Sequence, residues 1–201
     1  MISIVMDTSN KYLAVGLYRD GKCIDKIEEI GSRRQSENAI PYLSQLLEKY
    51  DLSLRDTDEM IITKGPGSYT GVRVAMTIAK TLAVVSMVKI KVVSSLAAYA
   101  GLDKCISIID ARSKKVFVCM YDQGKALMDE EMITIDECKA LIEDHPDYKV
   151  VGQVEVLGLD PVNADLCAHL YELGQLTDHV EYPEGLQPTY IKQVEAKKIC
   201  K

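Results

Sequence analysis

The sequence predicts an α/β protein of two related subdomains, each a mixed sheet with flanking helices. Two observations carry the duplication. Both halves of the 201-residue chain open on a short apolar run that stops at an aspartate: Ile2 to Met6 before Asp7, and Ile106 to Ile109 before Asp110. In both, a polar turn and a second β-type run follow, Tyr12 to Tyr18 in one half and Val116 to Tyr121 in the other. A third observation fixes the α/β class. The glycine-rich stretch Lys64-Gly65-Pro66-Gly67-Ser68-Tyr69-Thr70-Gly71-Val72-Arg73 links the apolar run Met60-Ile61-Ile62 to a helical run reaching about Met87. The order of elements repeats without a residue-level repeat. It divides the chain into 1–101 and 102–201, with a hinge near Gly101-Leu102-Asp103.

In the first half, Asp20-Gly21 separates two β-type runs and signals a hairpin. Three consecutive antiparallel strands are expected, the first of them central because it is largely apolar. After the polar stretch Ser32 to Asn38, residues Ile40, Leu43, Leu46, Leu47 and Tyr50 fall at helical spacing, with Asn38 as N-cap and Pro41 at N3. Strands are expected at 58–63 and 90–93, and Ser94-Ser95 caps a brief helix through Ala100. In the second half, a third strand is expected from Ala126 to Ile135, and a helix capped by Asp136 to Glu143. A strand at Tyr148 to Val151, a helix from Asn163 to Leu173 and a last edge strand at Tyr190-Ile191 complete the reading.

Composition bounds the function classes. With 47% hydrophobic residues and no low-complexity tract, the chain reads as globular. A net charge of −6 opposes direct binding of a polyanion, so any RNA is expected to be held by a partner. The six cysteines are scattered without a C-x-x-C pair, which fits neither a zinc site nor a compact disulfide framework. The amino terminus lacks a signal-peptide pattern and no apolar run reaches membrane-spanning length, so the expectation is a cytoplasmic protein with free thiols.

Two kinds of loop invite a phosphate reading. The glycine stretch reads G-x-G-x-x-x-G, one residue off the dinucleotide fingerprint and without the Lys-Ser/Thr ending of a P-loop. A tight strand-to-helix turn is favoured, with Ser68 or Thr70 capping the helix. Asp7-Thr8-Ser9 and Asp110-Ala111-Arg112 place carboxylates at strand ends facing a cleft between the halves, where Mg²⁺ and phosphates could be addressed. Neither turn has the glycine that close phosphate approach requires. Asp7, Thr8, Ser9, Gly65, Gly67, Ser68, Asp110 and Arg112 therefore read as degenerate phosphate-type loops. The histidines, His145, His169 and His179, are far apart and form no metal motif, so no metal site is expected. No nucleophile elbow is present and no catalytic residue is assigned.

The helix after the glycine loop is unusually apolar. Val72, Val74, Ala75, Met76, Ile78, Ala79, Leu82, Ala83 and Val85 cover roughly 200° of its circumference, about twice what one sheet needs. Either neighbouring helices of the same lobe cover the excess, or a subunit interface does.

These residues together resemble the TsaB (YeaZ) family, bacterial proteins of tRNA threonylcarbamoyladenosine biosynthesis. The matching stretches are Met6-Asp7-Thr8-Ser9, Gln35-Ser36-Glu37 with Pro41, Gly65 to Arg73, Val93 to Ala98, Ile109-Asp110-Ala111-Arg112, and Pro188 to Lys192 with Glu195-Ala196. The resemblance implies two actin-like (ribonuclease H-like) subdomains and a non-catalytic scaffold or activator of TsaD, the catalytic relative whose metal site uses an H-x-x-x-H pair. This chain has no such pair, and Gln35 stands where family members often carry histidine. The family's example also implies docking on TsaD through the two first-lobe helices. Ile40, Leu43, Leu47, Val72, Arg73, Ala75, Met76, Ala79, Leu82 and Ala83 are then the expected interface. It further implies a homodimer when the chain is alone, a TsaE-type ATPase in the complex, tRNA reached only through that complex, and ATP with Mg²⁺ only there. The alternative, from the enzyme class, is a weak ATP-binding or glycoprotease-like peptidase activity.

Overall fold

A computed structural model describes residues 1–30 and 35–191, and of Gln35 the backbone alone. The polar residues 31–34 and the charged tail 192–201, including Cys200, lie outside the described residues. The first sheet holds β1 (Ile2–Asp7), β2 (Tyr12–Arg19), β3 (Lys22–Ile30), β4 (Glu59–Thr63) and β5 (Lys89–Val93) in the order β3-β2-β1-β4-β5. β1 to β3 form the expected antiparallel run, and β4 and β5 join parallel to β1. β1 is central and all six of its residues are buried, which its apolar composition requires.

The second sheet holds β6 (Cys105–Arg112), β7 (Lys115–Asp122), β8 (Lys125–Ala126), β9 (Glu131–Thr134) and β10 (Lys149–Gly152). β10 runs parallel to β6, β7 antiparallel to it, and β8 and β9 both pair with β7. The single strand expected from Ala126 to Ile135 is thus two short strands. The segment between them bends inward so that Glu130 accepts from the Tyr121 hydroxyl at 3.0 Å and from Ser94.

The helices are α1 (Gln35–Lys49), α2 (Tyr69–Ser86), α3 (Ser95–Ala100), α4 (Ile135–Asp144) and α5 (Leu166–Gln175). They complete five layers: α1 and α2, the first sheet, α3 and α5, the second sheet, then α4. Three apolar cores fill the gaps. Ile4, Met6, Met60 and Ile62 meet Leu43, Leu46, Ala75 and Ala79 on one face of the first sheet. Val5, Ile61 and Val93 meet Leu96, Leu166 and Leu170 on the other, where Cys105, Ile109 and Tyr121 of the second sheet close the layer. Ile106, Val116 and Val118 meet Cys138 beyond it.

Several boundaries move for local reasons. α1 begins at Gln35, so Asn38 and Pro41 lie inside the helix rather than at its cap and N3. α4 is capped by Thr134, not Asp136: Glu137 N–H donates to the Thr134 hydroxyl at 3.2 Å while the Glu137 carboxylate accepts from Thr134 N–H at 2.8 Å, a capping box. α5 starts only after Asp165, which accepts from Ala168 N–H at 2.9 Å. Tyr190-Ile191 is not a strand.

The division at 101 is crossed a second time. α5 packs on the first sheet, with Gly174 against Ile61 and Cys167 beside Gly16, because small residues there allow close approach. The strap after it stays on the first lobe: Val180 N–H donates to Ile90 C=O at 2.7 Å and Thr189 N–H to Lys64 C=O at 2.7 Å. At the sheet end remote from β1's aspartate, buried Glu59 accepts from Ser3 Oγ at 2.9 Å and lies 3.1 Å from both Lys91 Nζ and His179 Nε2.

Candidate functional site

The carboxyl ends of β1, β4 and β6 converge on a cleft of ≈ 890 Å³ between the two sheets. From the first lobe its walls carry Asn10, Lys11, Gly67, Ser68 and the first turn of α2. The second lobe contributes Asp110, Ala111, Arg112 and Phe117, together with Gln153, Glu155 and Val156 beyond β10. Lys11 and Glu155 form an ion pair across it.

The glycine loop is held against the β1–β2 turn by main-chain contacts. Ser68 N–H donates to Ser9 C=O at 2.7 Å. The Thr8 hydroxyl donates to Gly71 C=O at 2.6 Å and accepts from Ala75 N–H at 3.1 Å, fastening the turn to the first rung of α2. A Cβ on Gly67 would stand 2.4 Å from Ser9 C=O, and one on Gly71 2.0 Å from Thr8 C=O. The space these glycines vacate is therefore filled by the protein's own backbone. Ser68 caps α2 as expected, accepting from Gly71 N–H at 3.3 Å. Thr70 sits inside the helix.

Asp7 is buried behind this contact. Its Oδ1 accepts from Thr63 Oγ1 at 2.6 Å and from Ser9 N–H at 2.8 Å. Burial pushes its carboxyl above the ordinary range in spite of those bonds, so the charged form is disfavoured. Asp110 stays half-buried at the cleft. Its main-chain N–H donates to Gln153 Oε1 at 2.8 Å, and its carboxylate accepts from Arg112 N–H at 2.8 Å and pairs with the Arg112 guanidinium at 3.3 Å.

Of the expected loop residues, Gly67, Ser68, Asp110 and Arg112 line the cleft, whereas Asp7, Thr8, Ser9 and Gly65 lie behind its wall. Sequence patterns do not single out Lys11, Phe117, Gln153 or Glu155. Gln153 and Glu155 follow Gly152, where a Cβ would stand 2.1 Å from Ile108 C=O, but no spacing in the sequence announces that close approach of β10 to β6. Among the described residues no group of three or more His, Cys, Asp or Glu side chains converges as metal ligands.

The expected partner surface needs correction. Leu43, Leu47, Val72, Ala75, Met76, Ala79 and Leu82 are buried in the core between the first sheet and its helices. The apolar circumference of α2 divides. A sector of about 120°, at 100° per residue, faces its own sheet. Of the remainder, Val74 and Ile78 are half-buried at the rim of the same core and Val85 is exposed. At that rim a groove of ≈ 410 Å³ lies between Ile40 of α1 and Tyr69, Arg73, Val74, Thr77 and Ile78 of α2. Ile40 and Arg73 are exposed as expected, and Ala83 is half-buried.

At the groove's end the Tyr69 ring lies under the Arg73 guanidinium, 4.0 Å from centroid to Cζ. Tyr190, brought by the strap, stacks on Tyr69 at 5.6 Å and accepts from Arg73 Nε at 2.9 Å.

Five layers in two lobes, with a cleft at the strand ends, define an actin-like (ribonuclease H-like) protein whose loops close on each other. The solved structure of YeaZ from Pseudomonas aeruginosa shares this fold, with a TM-score of 0.77 at 24% identity, covering 94% of this chain and 99% of that one. A second, described as an uncharacterised protein with similarity to peptidase YeaZ from Pseudomonas aeruginosa, gives 0.78 at 24% identity, over 95% and 99%. The family model for TsaD, tRNA N6-adenosine threonylcarbamoyltransferase, matches residues 27–173. The tRNA threonylcarbamoyladenosine biosynthesis protein TsaB of Bacillus subtilis is 36% identical over 135 residues, 65% of this chain and 59% of that protein. TsaB of Haemophilus influenzae is 30% identical over 134 residues, 63% and 56% respectively. These matches thus span less than two thirds of the relatives' own length. The chain belongs to the TsaD-type family, in its TsaB/YeaZ branch.

Proposed function

We propose that this chain is the non-catalytic subunit of a complex that makes N6-threonylcarbamoyladenosine in tRNA, docking on a TsaD-type subunit through the outward flank of α1 and α2. The observation that carries this reading is the apolar groove itself, with Ile40 58% exposed on one wall and Val74 and Ile78 on the other. Unpartnered apolar surface at helical spacing is what a helix-in-groove contact buries. The closed glycine loop supports the absence of catalysis by this chain, since backbone occupies the space where a phosphate would approach.

In this reading a TsaE-type ATPase joins the assembly, the groove closes on a second copy when the chain is alone, and tRNA is held by the complex. The test is reconstitution of threonylcarbamoyl transfer to tRNA from a TsaD-type subunit, a TsaE-type ATPase and the enzyme that makes the carbamoyl-adenylate donor. Transfer should require this chain and fail with Ile40→Asp, which changes an exposed residue and leaves the core intact. Transfer of equal rate without the chain overturns the proposal.

A second reading is nucleotide binding in the cleft, favoured by its volume and by Asp110 and Arg112 on its wall. Calorimetry with Mg-ATP decides it: heat of binding to the isolated chain supports that reading, and none at millimolar nucleotide removes it.

A further inference from the structure

Arg73 is held more firmly than an exposed arginine needs to be. The Tyr69 ring supports one face of its guanidinium, and the Tyr190 hydroxyl takes its Nε–H. Tyr190 is itself fixed by its stacking on Tyr69 and by the adjoining main-chain bond from Thr189 to Lys64. Among the described residues no carboxylate pairs with Arg73, whose guanidinium meets only the tyrosine rings and hydroxyls of Tyr69 and Tyr190 there and so keeps an uncompensated charge. An arginine so fixed loses little conformational freedom on binding. Tyrosine and arginine grouped at the end of an apolar groove are also the residue types that dominate interface energies.

We infer that the Tyr69–Arg73–Tyr190 cluster is a preformed carboxylate receptor. It would fix the register of a partner helix laid in the α1–α2 groove, by pairing Arg73 with an Asp or Glu of that helix. The inference rests on the proposed docking face and adds the chemistry of its anchor. Charge complementarity sets what the partner must carry: α2 itself holds no acidic residue, and among the described residues the groove's one lining charge is Arg73. A planar guanidinium without a counter-charge takes a carboxylate bidentately. The apolar walls, Ile40, Val74 and Ile78, favour a protein helix over a nucleic-acid backbone, as does the chain's net charge of −6.

The test uses the full chain and a TsaD-type subunit, with affinity measured by calorimetry at low and high salt. Arg73→Ala should weaken binding about 10- to 100-fold, the range for truncating an interfacial anchor. Arg73→Lys should recover little of it, because an ammonium can neither stack as a plane nor fork. Arg73→Glu should be rescued by one Asp or Glu to Arg change in the partner. Ile40→Asp separates the two ideas. If Ile40→Asp leaves affinity unchanged, the face is wrong and the anchor falls with it. If Ile40→Asp abolishes binding while Arg73→Ala matches wild type, the face stands and the anchor is refuted. Arg73 variants that keep partner affinity but lose tRNA binding by the complex would place the cation against RNA and overturn the inference. Unchanged melting temperatures exclude misfolding as the cause.

Discussion

Gly71→Ala probes the closure of the glycine loop by main-chain packing. The added methyl would stand 2.0 Å from Thr8 C=O, and that oxygen belongs to backbone that no rotamer change can move. Relief requires α2 and the β1–β2 turn to separate by about 1 Å, since packed interiors leave no void to absorb the overlap. That movement strains the Ser68–Ser9 bond of 2.7 Å and the Thr8–Gly71 bond of 2.6 Å. Overpacking costs about 2 kcal/mol and two loosened hydrogen bonds about 2 kcal/mol together. Alanine's better helix propensity returns about 1 kcal/mol. The net loss is about 3 kcal/mol, a fall in Tm of roughly 6–12 °C for a chain of this size. Circular-dichroism melts measure it, with Gly185→Ala as control because a methyl there meets nothing within 4 Å. A Gly71→Ala variant that melts within about 2 °C of wild type, equivalent to about half a kcal/mol, would refute the packing account and reopen the loop as a ligand cradle.

Three further outcomes rest on burial and charge. Asp7→Asn should leave the protein as stable or more stable at neutral pH, because its Oδ1 can still accept from Thr63 and Ser9. Burial raises the folded Asp7 pKa, so stability falls as pH rises from the unfolded value through the folded one; the advantage of Asn should grow over that window in melts at a series of pH values. Glu59 behaves with the opposite sign: burial pushes its pKa up, but bonds from Ser3, Lys91 and His179 outweigh it and hold the carboxyl below its ordinary range. Its contribution is present above the unfolded pKa and disappears as pH falls through the folded one. Glu59→Gln should cost about 3 kcal/mol near neutrality by leaving Lys91 buried without its counter-charge, a difference that urea titration should find shrinking in acid. Ala79→Arg should unfold the chain rather than only separate subunits, since Ala79 is 0% exposed and a cation there has no partner; a folded monomer on sedimentation would contradict that.

The sequence by itself determined the two-lobed α/β plan, because apolar runs ending in Asp7 and Asp110 and the hairpin at Asp20-Gly21 are local signals of period and turn. It also narrowed the cap of α2 to Ser68 or Thr70 and set Arg73 on the helix's polar sector. Tertiary structure alone decided which apolar residues of α2 are core: helical periodicity gives a face its width, but only the position of the sheet says where that face is divided. Ala79 and Ile78 are adjacent and both apolar, yet one is sealed against the layer of β1 and β4 and the other borders the groove. The same limit hid Tyr190, which meets Arg73 only because the strap crosses back over the first lobe, and it hid the purpose of Gly67 and Gly71. Their spacing favoured a tight strand-to-helix turn over a phosphate loop; what closes that turn is the pair of carbonyls of Thr8 and Ser9, a contact between segments about sixty residues apart that no local pattern encodes.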